Sequence, residues 1–198
     1  MKRIAFFPLF ALIIGTTYSC EKTETTNQLS ASEQDALVFM IEEEKLARDV
    51  YTQLGSVWSA HQFQMIKDSE QSHVNAIAAI LDSYSLEYDT LPLGQFHNED
   101  LQQLYNELIL LGSDSELAAL KVGATIEDLD LVDLQEYTNL TQNGTLVSLY
   151  DDLMCGSRNH LRAFMNGINN KGGTYTPQYL TQDEFNAILA GDHESCGG

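Results

Sequence analysis

Four long stretches of this 198-residue chain repeat apolar residues every three or four positions, and each repeat is interrupted near its middle by a polar residue of metal-ligand or hydroxyl type. Apolar residues at this spacing line one face of an amphipathic helix, and that face has to be covered by another element. The first stripe reads Leu37, Ile41, Glu44, Ala47, Tyr51, Leu54, Trp58, and the second Phe63, Ile66, Glu70, His73, Ile77, Ile80, Tyr84. The third reads Leu117, Leu120, Ala124, Glu127, Leu131, Leu134, and the fourth Leu146, Leu149, Leu153, Ser157, His160, Phe164, Ile168. No lysine or arginine lies on any of them.

A carboxylate inside an apolar core must be paired, protonated or bound to a cation. Taken singly, each interruption has an ordinary explanation: a core histidine bonded to a carbonyl, or a glutamate reaching the surface. Glutamates and histidines converging at matching depth from four helices point instead to divalent cations. Glu70-x-x-His73 places both side chains on one helix face, because positions i and i+3 are neighbours. Carboxylates can be terminal or bridging ligands and imidazoles supply neutral nitrogens, a set that suits iron or manganese better than a thiolate-bound structural zinc. Tyr51 lies on the same stripe as Glu44, either beside the metals or simply in the core.

The spacing predicts helices over about Ser32 to Leu54 or Trp58, His61 to Tyr84, Ser115 to Tyr137 and Thr145 to Asn169. Ser32 is the expected first N-cap, with Asp35 three positions on. Ser113, Asp114 or Ser115 could cap the third long helix, and "NNKGG" reads as a stop after the fourth. Residues 85–114 form a long central connection carrying a shorter helix, "NEDLQQLYNELILLG", and a last helix is expected over Gln182 to Leu189. Short connections make neighbouring helices antiparallel, whereas one long crossover lets the second and third run parallel. The expected fold class is therefore all-α: a four-helix bundle with one long crossover, an arrangement that includes the ferritin-like folds.

The formal net charge of −19 argues against nucleic acid as a partner, since that would require a basic face. Residues 1–19 have early basic residues, an apolar run too short for a comfortable membrane span, and small residues leading to Cys20. They resemble a lipoprotein signal with lipidation at Cys20, although Thr17 stands where leucine is usual. Residues 20–31 read as a flexible tether, 32–192 as the domain and 193–198 as a tail. The expected location is a bacterial cell envelope, lipid-anchored and facing the periplasm or exterior. Cys155 and Cys196 then remain as an even pair, which permits a disulfide or leaves two free thiols.

"MIEEEKLARDVYTQL", "SEQSHVNAI", "ALKVGATIEDLDLVDL" and "GSRNHLRAF" together resemble the DUF2202 family, assigned to the ferritin-like superfamily, over roughly residues 33–190. In ferritins, bacterioferritins and rubrerythrins a first-helix ligand Glu is followed seven residues later by a Tyr beside the metals. Glu44 and Tyr51 have that spacing, which selects Glu44 over Glu43. The resemblance implies Glu70 and His73 as second-helix ligands and Glu127 as the third-helix carboxylate. The fourth helix departs from the pattern: rubrerythrins carry a second Glu-x-x-His where this chain has Ser157 and His160. Asp130, one turn after Glu127, could replace the missing carboxylate; otherwise one metal is held tightly and the other loosely.

The expected function is that of a non-haem di-iron (or Fe/Mn) oxidoreductase acting on oxygen or hydrogen peroxide with an external electron donor. Glu44, Glu70, His73, Glu127 and His160 would hold the metals, with Asp130 as a sixth ligand and Tyr51 placed to hydrogen-bond the oxidant. The chain lacks a rubredoxin-like Cys-x-x-Cys module for electron delivery. Two alternatives stay open: a non-catalytic iron-binding protein of the envelope, and a metal-free structural or interaction bundle. Arg158 and Arg162 are read as surface partners of acids, and His61, His97 and His193 as solvated.

Overall fold

The computed structural model describes residues 28–197. The signal-like segment, Cys20 and the first part of the tether lie outside the described residues. Among those described there are six helices and no strand: α1 (Ala31–Val57), α2 (His61–Ser83), α3 (Glu99–Gly112), α4 (Glu116–Leu140), α5 (Gly144–Asn170) and α6 (Gln182–Ala190). None of them is long and apolar enough to cross a membrane.

The helix boundaries follow local chemistry. α1 starts two residues earlier than expected, because Ser30 rather than Ser32 is the N-cap. The reason is side-chain length. Glu33 reaches back to the Ser30 N–H at 2.8 Å and closes a capping box, a reach that a glutamate has and the shorter Asp35 lacks. The same carboxylate accepts from the Thr141 hydroxyl, joining the start of α1 to the end of α4. Ser115 caps α4 and Asn143 caps α5, and α5 stops just before Gly172, whose φ of +69° suits a glycine beyond a helix end.

Each long helix packs against two others: α1 against α2 and α4, and α5 against α4 and α2. Their shared interior holds Leu37, Ile41, Leu54, Phe63, Ile77, Leu134, Leu146, Phe164 and Ile168, all essentially inaccessible. The stripe ends are wetter, with Trp58, Ile80, Tyr84 and Leu117 only partly buried. α3 lies across α1 and α4, and α6 touches α5.

The long connection is fixed by buried charge. Lys45 is fully buried and its Nζ sits 2.6 Å from Asp49 Oδ2, donates to the carbonyls of Pro92 and Gln95, and lies 4.2 Å from the Phe96 ring centre. Asp49 in turn accepts from the Gly94 N–H at 2.8 Å. Glu42 accepts from the N–H groups of His97 and Asn98, orienting the start of α3. At the other end Cys155 of α5 is bonded through its Sγ to Cys196, and Glu194 pairs with Arg158 and Arg162. His97 is exposed and faces Asp89.

Candidate metal centre

The four helices deliver their polar residues to one place. Glu44 from α1, Glu70 and His73 from α2, Glu127 and Asp130 from α4, and Ser157 and His160 from α5 are all buried. Their ligand atoms form two groups, each tight enough for a cation: Glu44, Glu70 and His73, and Glu70, Glu127 and His160. Glu70 belongs to both. Its Oε2 lies 3.0 Å from His73 Nδ1 and its Oε1 lies 2.8 Å from His160 Nδ1, so each oxygen faces one imidazole. Glu44 Oε2 completes the first group at 3.0 Å from His73 Nδ1, and Glu127 Oε2 the second at 3.5 Å from His160 Nδ1.

Several of these atoms have no hydrogen-bond partner among the described residues. Glu44 Oε1, Glu70 Oε1, Asp130 Oδ1 and His160 Nδ1 are buried and unpaired. The His160–Glu70 contact is short in distance but misaligned for a hydrogen bond, as lone pairs aimed at a shared third point would be. Buried polar groups are rarely left this way, and those of Glu44, Glu70 and His160 belong to the two groups that could hold a cation.

Asp130 joins neither group. Its Oδ2 accepts from the Ser157 hydroxyl at 2.5 Å, while Oδ1 stays free. Tyr51 is fully buried and donates to Glu127 Oε1 at 2.5 Å, with its ring packed against Phe63 and Phe164. Among its relatives, "Uncharacterized protein MJ0754" of Methanocaldococcus jannaschii is 44% identical over 168 residues, spanning 84% of this chain and 91% of that one. The crystal structure of that hypothetical protein superposes with a TM-score of 0.82 at 43% identity, covering 84% of this chain and 96% of the other. Residues 33–192 match the domain described as "Uncharacterized protein domain (DUF2202)". The chain belongs to the DUF2202 family.

Electrostatics within this DUF2202 core follow from burial and from the two imidazoles. Burial raises the Glu44 carboxyl to about 7, with His73 pulling the other way. Burial acts on Glu70 too, but His160 and His73 outweigh it and hold that carboxyl below the usual range. Both histidines keep their protons despite desolvation: Glu44 and Glu70 lift His73 well above its ordinary value, and Glu70 and Glu127 lift His160 to about 10. Asp130 is raised by burial and by Glu44, and Tyr51 by burial and by Glu127, so its phenol stays a donor. Two protonated imidazoles thus stand where two cations could replace their protons.

Three residues of this DUF2202 site escaped the stripe reading. Ser69 Oγ lies 2.9 Å from His160 Nε2, leaving Nδ1 toward the carboxylates. Gly156 lies against the His73 ring, where a Cβ would come within 2.5 Å of Nε2. A lone glycine inside a strong helix pattern signals such a close approach, whereas nothing local marks Ser69. Glu43, passed over for Glu44, is also buried, with Oε2 unpaired.

Proposed function

We propose that this chain is a ferritin-like four-helix bundle holding two iron ions, or one iron and one manganese, as a non-haem oxidoreductase for oxygen or hydrogen peroxide. The observation that carries the reading is Glu70, a single buried carboxylate shared by two three-ligand groups with one oxygen turned to each imidazole. Glu44 and His73 would complete one metal position, and Glu127 and His160 the other. Asp130, with its free Oδ1, is the sixth ligand. Glu44, Glu70, Glu127 and Asp130 then balance two divalent cations, with both imidazoles neutral.

When bound, such a metal pair supplies the electrons that reduce an oxygen-derived oxidant. The chain's own residues set the conditions. Ser69 Oγ, by accepting from His160 Nε2, would leave Nδ1 for the metal, and an outer partner of this kind raises ligand basicity. Tyr51 holds Glu127 and keeps a phenolic proton inside a dry aromatic wall made with Phe63 and Phe164. Ser157 presents a small hydroxyl that donates to Asp130 Oδ2. The electron donor is external. The envelope location and lipid anchor are proposed on residues 1–20 alone.

Metal analysis of the chain, purified without chelators or a metal-binding tag, tests the reading. About two iron or manganese ions per chain, lost in Glu70→Ala/His73→Ala, are expected, followed by metal-dependent consumption of oxygen or peroxide. Metal without turnover would leave a non-catalytic iron-binding protein. No metal after anaerobic reconstitution with ferrous iron would overturn the proposal.

A further inference from the structure

One end of the bundle carries a cleft to which the metal centre contributes nothing. The starts of α1 and α5, the end of α4 and the segment after α2 surround a space of about 830 Å3, a size usual for small-molecule sites. Val38, Phe39, Leu86, Tyr137, Leu140 and Tyr150 supply its apolar wall, with Val38 42% and Leu140 68% exposed. Along α5, Tyr150 precedes Ser157 by roughly two turns of helix. None of the residues in the two metal groups lines the cleft.

Two features of this cleft point to a ligand. Tyr150 is 1% exposed, and its hydroxyl has no hydrogen-bond partner among the described residues, an uncommon state for a buried polar group. Burial and the nearby Glu33 charge push that phenol up to about 12, so it keeps a proton to donate. The second feature is charge. No lysine or arginine lines the cleft, whereas Glu33, Asp35, Glu42 and Glu87 do. Glu33 already accepts from Ser30 and Thr141, and Glu42 from the N–H groups of His97 and Asn98. Asp35 and Glu87 are exposed at the rim, and neither forms an ion pair among the described residues.

We propose that the cleft binds a phenolic amine, its ring on the apolar wall, its ammonium facing Asp35 and Glu87, and its hydroxyl paired with Tyr150. The rings of Tyr137 and Tyr150 lie tilted with centres 6.1 Å apart. Together with Phe39 they offer the aromatic faces that attract both a ring and an organic cation. An anionic ligand would meet like charge at the rim. A second copy of the chain, with its formal net charge of −19, would bring more of the same. The proposal does not depend on the metal-centre reading.

Amide chemical shifts of the metal-free full chain, titrated with a series of small probes, test the site. Tyramine carries both the ammonium and the ring hydroxyl. Phenethylamine lacks the hydroxyl, para-ethylphenol lacks the charge, and para-hydroxyphenylacetate reverses it. Tyramine is expected to bind tightest and to shift the amides of Phe39, Tyr137 and Leu140. Tyr150→Phe should weaken tyramine roughly two- to tenfold, the range that one hydrogen bond contributes, and leave phenethylamine unchanged. Asp35→Asn/Glu87→Gln should weaken both amines and spare para-ethylphenol; both residues are exposed, so this variant keeps the test valid if Tyr150→Phe fails to fold. No saturable shift with millimolar tyramine would overturn the proposal, as would para-hydroxyphenylacetate binding as well as tyramine. Tyramine affinity unchanged in both variants would overturn it too. Shifts at the cleft that follow protein concentration without any probe would assign the surface to a second copy of the chain instead.

Discussion

Gly156 shows how narrowly the histidines are placed. In Gly156→Ala the added methyl would stand 2.5 Å from His73 Nε2, so the ring must leave Glu44 and Glu70. The expected outcome is loss of one metal position with helix content retained, checked by metal stoichiometry beside circular dichroism. Ser69→Ala removes the partner of His160 Nε2 without touching a ligand. Metal affinity should fall by roughly 10–100-fold, the usual cost of losing such a partner, and titration calorimetry with manganese would measure it. A Ser69→Ala chain with wild-type affinity would mean that the His160 tautomer is set by something other than this hydroxyl. At this scale the sequence revealed the residues that break an apolar stripe, because a charge in oil is conspicuous. Glu44, Glu70, His73, Glu127 and His160 were all legible that way. Ser69 and Glu43 were not, since both sit beside a stripe where serine and glutamate are ordinary surface residues. Whether Glu43 points outward or toward α4 is decided by helix rotation, which periodicity resolves only coarsely.

Elements were easier to read, because strong periodicity and turn chemistry agree over long spans. Buried charge was the exception. Lys45 and Asp49, at i and i+4, lie off the first apolar stripe, yet both are fully buried and clamp the segment at Pro92–Phe96 onto α1. Lys45→Met leaves Asp49 paired with Arg48 and the Gly94 N–H but strips the Pro92 and Gln95 carbonyls of their donor, and should cost roughly 1–3 kcal/mol, measured by urea unfolding. On α5, the Cys155–Cys196 bond closes a separation of 41 residues and lies next to Gly156. Its reduction is expected to cost roughly 2–4 kcal/mol through the unfolded chain. A fall in melting temperature on treatment with a dithiol, absent in Cys155→Ala/Cys196→Ala, would show it.

Over the whole molecule, pH acts on folding through the protons stored at the centre. Burial raises Glu44 from its ordinary 4.5 to about 7, and the carboxylates raise His160 from 6.5 to about 10. In both cases the folded chain binds more protons than the unfolded one within those windows, so stability falls as pH rises through them. Each contribution is fully present below the unfolded value and gone above the folded one. The low value of Glu70 acts oppositely, but only in acid. Metal-free protein should therefore melt at a lower temperature at pH 10 than at pH 6, and manganese should flatten that slope by taking the protons' place. Equal melting temperatures of the metal-free chain at both pH values would contradict the charge assignment. The shared Glu70 has its own consequence for how the chain could change by mutation. Losing Glu44 or Glu127 damages one position and leaves the other a complete set of three. On the two-metal reading, losing Glu70 leaves only pairs on both sides, so no single step at that residue yields a working one-metal protein, and drift toward mononuclear chemistry has to begin at one of the unshared residues, Glu44, His73, Glu127 or His160.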